Sequence, residues 1–429
     1  MTTQITVREH ARLTCDVLTD STLDRARVSP TAFDWLCRLS QDFTRAGASL
    51  VHLDGRRWLA LDNFVGVLQT PCGTSIEILP KHIADDAAAD DIVASRQLLK
   101  RMISTVIGLS AREAGPANLD RFDAPLGEWI MERFLKALDH LIKRGMRLDY
   151  DRVEATERFL RGQLDVGMQM RQPAGRAHIF RFRHDVFVHD RAENRLIRLA
   201  LDRVALGTRS PALWQLASEL RGLLHELPPS RDVKRDFRLW RNDRLMAHYQ
   251  PLRPLCELIL NRQMPLALRG KWHGISMLFP MEKLFERYVS DVLSRKLSAG
   301  ATIHKQPSRA SLCIHLDTDV FRLQPDLLIE HGQRKWVLDT KWKRLDGSNR
   351  GGLYGLAQSD FYQLFAYGHK YLAGRGEMVL IYPSTERFAK PLPPFDFREG
   401  LTLRALPFDL VNDRLIGFDE IDLPLEGNS

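Results

Sequence analysis

The apolar positions of this chain change rhythm twice, and the changes divide it into three regions. In the first third they come in short dense runs, FVGVLQT within residues 58–70 and IEIL within 74–81, separated by Pro71-Cys72-Gly73. Runs of that length around a Pro-x-Gly break read as the strands of a hairpin, so residues 1–115 are expected to form a β-rich N-terminal module. Beyond Ile83 the spacing becomes helical. ADDAAADDIVASRQLLKRMISTVIGL is acidic at its start and basic further on, as a helix dipole favours. GEWIMERFLKALDHLIKRG (127–145) repeats that logic and ends on a glycine suited to a helix stop. A mainly helical middle region over 116–270 follows, punctuated by Pro228-Pro229 and by Pro251 and Pro254.

From Pro280 onward the order of elements is more varied. PMEKLFERYVSDVLSRKL carries apolar residues at Met281, Leu284, Phe285, Tyr288, Val289, Val292 and Leu293, the stripe of an amphipathic helix. SLCIHL (311–316), VFRLQPDLLIE (320–330) and RKWVLDTKWK (334–343) then predict three strands. SDFYQLFAYGHKYL (359–372) predicts a helix capped by Ser359, and EMVLIYP (377–383) one more strand. Residues 271–429 thus read as an α/β domain with a mixed sheet flanked by helices. The whole chain reads as an α+β multidomain protein.

Two of those strands carry an aspartate among apolar residues. Strand alternation places Val337, Asp339 and Lys341 on one face and Trp336, Leu338, Thr340 and Trp342 on the other, more apolar one. Gly332 permits a turn between the strands. With a loop from His331 to Arg334, Ile329 faces Trp336, Leu327 faces Leu338, and Asp326 falls across from Asp339. Two carboxylates so placed, with Cβ atoms about 5 Å apart, repel unless a proton or a cation lies between them. Magnesium prefers oxygen ligands and commonly takes one or two carboxylates with water and a phosphate, so the pair reads as half of a phosphodiester-hydrolysing site. Lys341, on the same face, would stand near the metal-bound water and the scissile phosphate. The plainer alternative is a hairpin with charged residues turned to solvent. Against it stand the element order, Glu282 and Glu286 beside the helical stripe, and Gln363 and Tyr367 one turn apart on the second helix.

Composition narrows the field. At 429 residues and 44% hydrophobic, the chain can bury sizeable cores and has little room for disorder. Its 62 Lys+Arg against 54 Asp+Glu give a net charge of +8, which suits a polyanionic partner but is modest for this length. Arginine is dense over 171–198 and 230–245, interleaved with Phe180, Phe182, Phe237 and Trp240; these side chains either contact phosphates or form a solvated face over apolar neighbours. The five cysteines are far apart and odd in number, which indicates neither a zinc knuckle nor a disulfide framework. The N-terminus is polar and no apolar run reaches membrane-spanning length, so a soluble cytoplasmic protein without membrane contact is expected. No G-x-x-x-x-G-K-[ST] loop is present, which excludes a nucleotide-hydrolysing motor in this chain, and neither a G-x-S-x-G elbow nor zincin histidine spacing occurs.

The C-terminal arrangement resembles the PD-(D/E)xK nuclease fold, with Pro325-Asp326 as its first half and Asp339-Thr340-Lys341 as its second. Gln363 and Tyr367 resemble the Q-x-x-x-Y helix motif of the RecB-like branch. More closely, the chain resembles the McrC family, the nuclease subunit of the modification-dependent McrBC restriction system. The likeness rests on FVGVLQT and IEILPK, D-x-x-x-N-R-L-I at 190–197, MEKLFERYV at 281–289, and the PD, DTK and QLFAY segments. That resemblance implies a Mg²⁺-dependent DNA endonuclease subunit, with Mn²⁺ as a substitute ion. Asp326, Asp339, the Thr340 carbonyl and Glu286 would bind the metal, and Lys341 would be the catalytic lysine. Glu282, one turn before Glu286, remains the other choice for the helix acid. Gln363 would orient the phosphate or the metal water, and Tyr367 would do so or simply pack. Aspartate at the second acidic position departs from the commoner glutamate. The implied partners are modified double-stranded DNA and a hexameric AAA+ GTPase of McrB type, docked and stimulated through the N-terminal module. Two other readings stay open: a non-catalytic adaptor of the AAA+ ring, and a partner-independent RecB-like exonuclease.

Overall fold

The computed structural model describes residues 4–45, 50–55, 57–81, 89–106, 126–147, 149–176, 178–188, 190–241, 244–260, 277–397 and 400–426. The fold is mixed α+β and divides into two compact units, Met1–Leu126 with Leu278–Ser429, and Gly127–Met277. The limits anticipated near residues 115 and 270 lie outside the described residues. The β-rich start and the C-terminal α/β part, read from the sequence as separate domains, share one unit. A strand that opens the C-terminal part completes the N-terminal sheet, which is why they cannot be cut apart at a linker.

In that first unit, helix α1 (Pro30–Arg45) accompanies a small sheet of Arg25–Arg27, Arg12–Thr14, Trp58–Leu61 and Val51–Asp54. A second sheet has the order β1 (Gln4–Arg8), β3 (Ser75–Leu79), β2 (Phe64–Gln69), β4 (Met277–Pro280). The hairpin anticipated around Pro71 is β2 against β3, closing at Gln69 opposite Ser75. The apolar run 58–70 is not one strand: it breaks at Asp62-Asn63 and serves both sheets. Helix α2 spans Ala89–Val106.

The C-terminal part holds helix α3 (Met281–Arg295) and a mixed sheet ordered β5 (Ala301–Lys305), β8 (Leu327–His331), β9 (Arg334–Thr340), β10 (Gly376–Pro383), β12 (Leu401–Asp409), β11 (Phe395–Phe397), with β13 (Arg414–Leu415) beside β12. Strand β8 runs antiparallel to both β5 and β9, while β9, β10 and β12 are parallel. The stretch VFRLQPDLLIE, expected as one strand, is two. Thr318–Leu323 (β7) pairs with Ala310–His315 (β6) in a separate hairpin, and Gln324-Pro325-Asp326 separates it from β8. Proline has no N–H for a ladder, so a strand passing through Pro325 would lose its pairing there.

The β8–β9 register is the one that the alternation requires: Leu327 opposite Leu338, Ile329 opposite Trp336, and a two-residue turn at Gly332-Gln333. Gly332 has φ 60°, the conformation that a tight hairpin asks of its first turn residue. Strand β9 is nonetheless buried on both faces, not on one. It lies between an antiparallel and a parallel neighbour, with α3 packed on one side and helix α4 (Gln358–Tyr371) on the other. Leu328, Val337, Leu364, Tyr367, Met378 and Leu380 form the core under α4. Gly368 permits the close approach, since a Cβ there would lie 2.6 Å from Met378 Sδ. Ala357 is the N-cap of α4, and Ser359, anticipated in that role, sits inside the first turn.

The second unit is mainly helical: Leu126–Arg144, Ala192–Gly207, Pro211–Leu223, Val233–Leu239 and Leu252–Leu260. It also contains an antiparallel sheet of Asp149–Glu157, Phe180–Val188 and Gln163–Leu164 that the helical reading missed. Several arginines of the dense stretches are committed within the unit. Arg183 and Arg181 approach Glu154 at 2.8 and 3.7 Å, Arg195 holds Asp190 and Asp236 at 2.7 Å each, and Arg198 reaches Asp202 and the carbonyl of Leu224. The D-x-x-x-N-R-L-I motif is part of this network, with Asn194 buried and accepting from the Tyr249 hydroxyl at 2.9 Å. All five cysteines are free, and no described helix is long and apolar enough to cross a membrane.

Candidate active site

The broken strand and its hairpin partner bring the two aspartates into one cleft. Asp326 stands just before β8, where its carbonyl still accepts from Gln306 N at 2.8 Å and so prolongs the β5–β8 ladder. Its Oδ2 accepts from both the amide and the hydroxyl of Thr340, each at 2.7 Å. Asp339, second from the end of β9, is buried, and Lys341 Nζ lies 2.6 Å from its Oδ2. A cleft of about 540 Å³ is lined by these residues together with Glu282, Glu286, Gln324, Trp342, Asp360 and Gln363.

Helix α4 supplies the next layer. Lys341 Nζ donates to Gln363 Oε1 at 3.1 Å, Gln363 Nε2 donates to the Tyr367 hydroxyl at 2.7 Å, and that hydroxyl donates to the carbonyl of Gln324 at 3.1 Å. One i, i+4 pair therefore connects the lysine to the backbone two residues before Asp326. Tyr367 both packs in the core and takes part in this relay. Asp360, three residues before Gln363 on the same helical face, lies 3.9 Å from Lys341 Nζ and accepts from the Tyr382 hydroxyl at 3.4 Å. Sequence reading passed over it, although the spacing Asp360, Gln363, Tyr367 marks a single face. It also passed over Glu9, whose Oε1 accepts from the Trp342 indole at 2.7 Å; no local pattern announces a partner more than 300 residues away.

The charges of the cleft are costly. Burial raises the proton affinity of Asp339, and the neighbouring Asp326 carboxylate adds to it, so that its carboxyl is pushed up to about 7. Burial also holds Asp326 above the ordinary carboxylate range, against the pull of its two Thr340 hydrogen bonds. Glu286 is raised by burial and then by Asp326. For the Lys341 ammonium, burial acts downward, but Asp339, Asp360 and Asp326 outweigh it and the group is raised. The ammonium thus offsets only part of the negative charge.

A proton or a divalent ion can offset the rest, and the donors suit a hard ion: two carboxylates with room for water. Asp339 Oδ2 is buried and, despite the nearby ammonium, receives no well-directed hydrogen bond. Glu286 lines the same cleft, where its Oε1 accepts from Gln306 Nε2 at 2.6 Å. Among the described residues no three His, Cys, Asp or Glu side chains form a cage that holds a metal by themselves. The set therefore fits an ion bound through two carboxylates and completed by water, as magnesium usually is.

Comparison with known proteins gives a consistent picture. A family model described as McrBC 5-methylcytosine restriction system component matches residues 59–383. No curated protein matches the chain. A solved half-complex from the tetradecameric assembly of Thermococcus gammatolerans McrB AAA+ hexamers with bound McrC contains a chain similar over 97% of this chain and 98% of its own length, with TM-score 0.71 and 19% identity. The cryo-EM structure of the Thermococcus gammatolerans McrBC complex matches over 68% of this chain and 88% of the other, with TM-score 0.54 and 21% identity. At such identities the likeness is one of fold.

Proposed function

The chain belongs to the McrBC 5-methylcytosine restriction system component family, and from that premise we propose that it is the DNA-cutting subunit of a restriction complex. In this reading its C-terminal sheet and helices form a PD-(D/E)xK-type nuclease that hydrolyses phosphodiester bonds of modified double-stranded DNA with Mg²⁺. A hexameric AAA+ GTPase would drive it. The observation that carries the proposal is the pair Asp326 and Asp339, held in one cleft with raised proton affinities and with Lys341 beside them.

Asp326, Asp339 and the Thr340 carbonyl would hold the ion, with Glu286 or Glu282 on α3 completing the shell directly or through water. A bound divalent ion supplies Lewis-acid polarisation of the phosphate and a lowered pKa for its water. The chain's own groups do the rest. The Lys341 ammonium, fixed by Gln363 and Asp360, places positive charge where a phosphorane oxygen gains negative charge. Tyr367 holds Gln363 in the orientation that accepts from Lys341. The dependence on a motor is supported by a structural neighbour that is McrC bound to McrB AAA+ hexamers.

The test is cleavage of modified plasmid DNA by the full chain with Mg²⁺, GTP and its AAA+ partner, comparing wild type with Asp339→Ala and Lys341→Ala. Both variants are expected to lose nicking while still stimulating the partner's GTP hydrolysis. Equal cutting by all three proteins rejects the assignment. A wild type that stimulates GTP hydrolysis and never cuts is an adaptor, and partner-free degradation of linear DNA identifies an exonuclease.

A further inference from the structure

The N-terminal sheet contacts, at two points, elements that carry the proposed chemistry of the cleft. The first is Glu9, which follows β1. Its backbone N–H donates to Leu79 O at 2.9 Å, and His10 after it has φ 66°, a turn that directs the Glu9 side chain inward. That side chain is fully buried. Its Oε1 accepts from Lys81 N at 2.7 Å, just past β3, and from Trp342 Nε1 at 2.7 Å. Trp342 follows Lys341 directly, and its ring meets that of Phe285 with centroids 5.2 Å apart. Phe285 in turn precedes Glu286. The second point is Asn63, immediately before β2, whose carbonyl accepts from Met281 N at 2.8 Å and so fixes the first residue of α3. One sheet therefore grips both the strand end bearing Asp339 and Lys341 and the helix bearing Glu282 and Glu286.

We infer that Glu9 is a positioning residue of the nuclease cleft: by holding the Trp342 indole it sets the spacing between β9 and α3, and it ties the N-terminal sheet to the catalytic centre. Glu9 is thereby connected to the residues beside Lys341 and Glu286 through the Trp342 hydrogen bond and its ring contact with Phe285. The catalytic part of this inference rests on the nuclease reading above; the Glu9–Trp342 bond does not. Burial holds Glu9 above the ordinary carboxylate range, so a neutral glutamine, which keeps an acceptor oxygen in the same place, replaces it without loss of a charge that the fold favours.

The experiment uses the full chain with its AAA+ partner, modified plasmid DNA, GTP and Mg²⁺, with Asp339→Ala as control. Glu9→Ala and Trp342→Phe are each expected to lower kcat about tenfold, as a small misplacement of a catalytic group does, with KM within about twofold. Glu9→Gln restores most of the rate. The double variant Glu9→Ala/Trp342→Phe is no slower than the worse single variant, because both remove the same contact. Glu9→Ala within twofold of wild type, or a double variant whose losses multiply, overturns the proposal. Should Glu9→Ala fail to fold, the indole N–H resonance that Trp342→Phe deletes is followed in Glu9→Gln: a shift supports the bond, and an unmoved resonance overturns it. Asp339→Ala cutting as fast as wild type rejects the nuclease reading instead, while the resonance still reports on Glu9.

Discussion

Two clusters of opposite charge, one in each unit, differ in how completely their charges are met. In the Gly127–Met277 unit, Asp236 accepts from two guanidinium nitrogens of Arg195, at 3.1 and 2.7 Å, and from the Ser230 hydroxyl at 2.7 Å. Burial pushes its carboxyl upward, yet these bonds prevail and hold it below the ordinary range, while Arg195 is raised in turn. In the cleft, Asp339 faces Asp326 and one ammonium, and its proton affinity is raised. The first cluster is what a structural ion-pair network looks like when each charge finds a partner. The second leaves a net negative charge in a low-dielectric cleft, the feature on which the proposed ion site rests.

The sharpest way to break this contrast is to remove one member from each cluster. Asp339→Ala and Lys341→Ala should lower cleavage by about 10²–10⁴-fold, the range for losing a positioned acid–base or electrostatic group. Asp236→Ala should leave Arg195 with Asp190 alone and the buried Ser230 hydroxyl without its acceptor, lowering stability by about 2 kcal/mol in a denaturation curve. Comparable rate losses from both sites, with comparable stabilities, would erase the distinction.

Smaller effects sharpen it. Asp339→Asn removes a charge that the fold disfavours, so the metal-free variant should be about 1 kcal/mol more stable than wild type while cutting no DNA, a trade of function against stability. Saturating Mg²⁺ should raise the melting temperature of wild type and leave that of Asp339→Asn unmoved. The pH dependences should also have opposite signs. Asp339 titrates at about 7 in the fold against about 4 in an unfolded chain, so between these values the folded protein holds a proton that the unfolded one has released. Its stabilising contribution is full below about 4 and is lost as pH rises through about 7. Asp236, held low, contributes above the unfolded value and loses that contribution as pH falls through its folded one. Urea midpoints of wild type and Asp339→Asn at pH 5 and 8 check the first sign, those of wild type and Asp236→Asn at pH 5 and 3 check the second, and Mg²⁺ affinity should rise between pH 5 and 8 as the carboxylates lose their protons.

Much of the cleft was legible because its parts are close in sequence. A two-residue turn ties β8 to β9, so apolar alternation alone fixes which residues face each other and places Asp326 near Asp339. The i, i+4 spacing of Gln363 and Tyr367 likewise places both on one face of α4. Charge patterning was less informative: dense arginine over 171–198 looked the same whether it met phosphate or Glu154, Asp190 and Asp236. The small sheet of the second unit was missed for a related reason: in RFRHDVFV only the first three residues alternate, and the arginine density of the stretch outweighs so short a strand signal.

The β8–β9 hairpin, the aspartate pair and the lysine beside it were determined by the amino-acid sequence, because local period and a short loop leave few alternatives. Tertiary structure alone decided that β9 is covered on both faces, that Asp360 approaches Lys341, and that Glu9 reaches Trp342 from the other end of the chain. Such pairings depend on which distant surfaces are buried together, and burial is a property of the whole packed chain that no local pattern encodes.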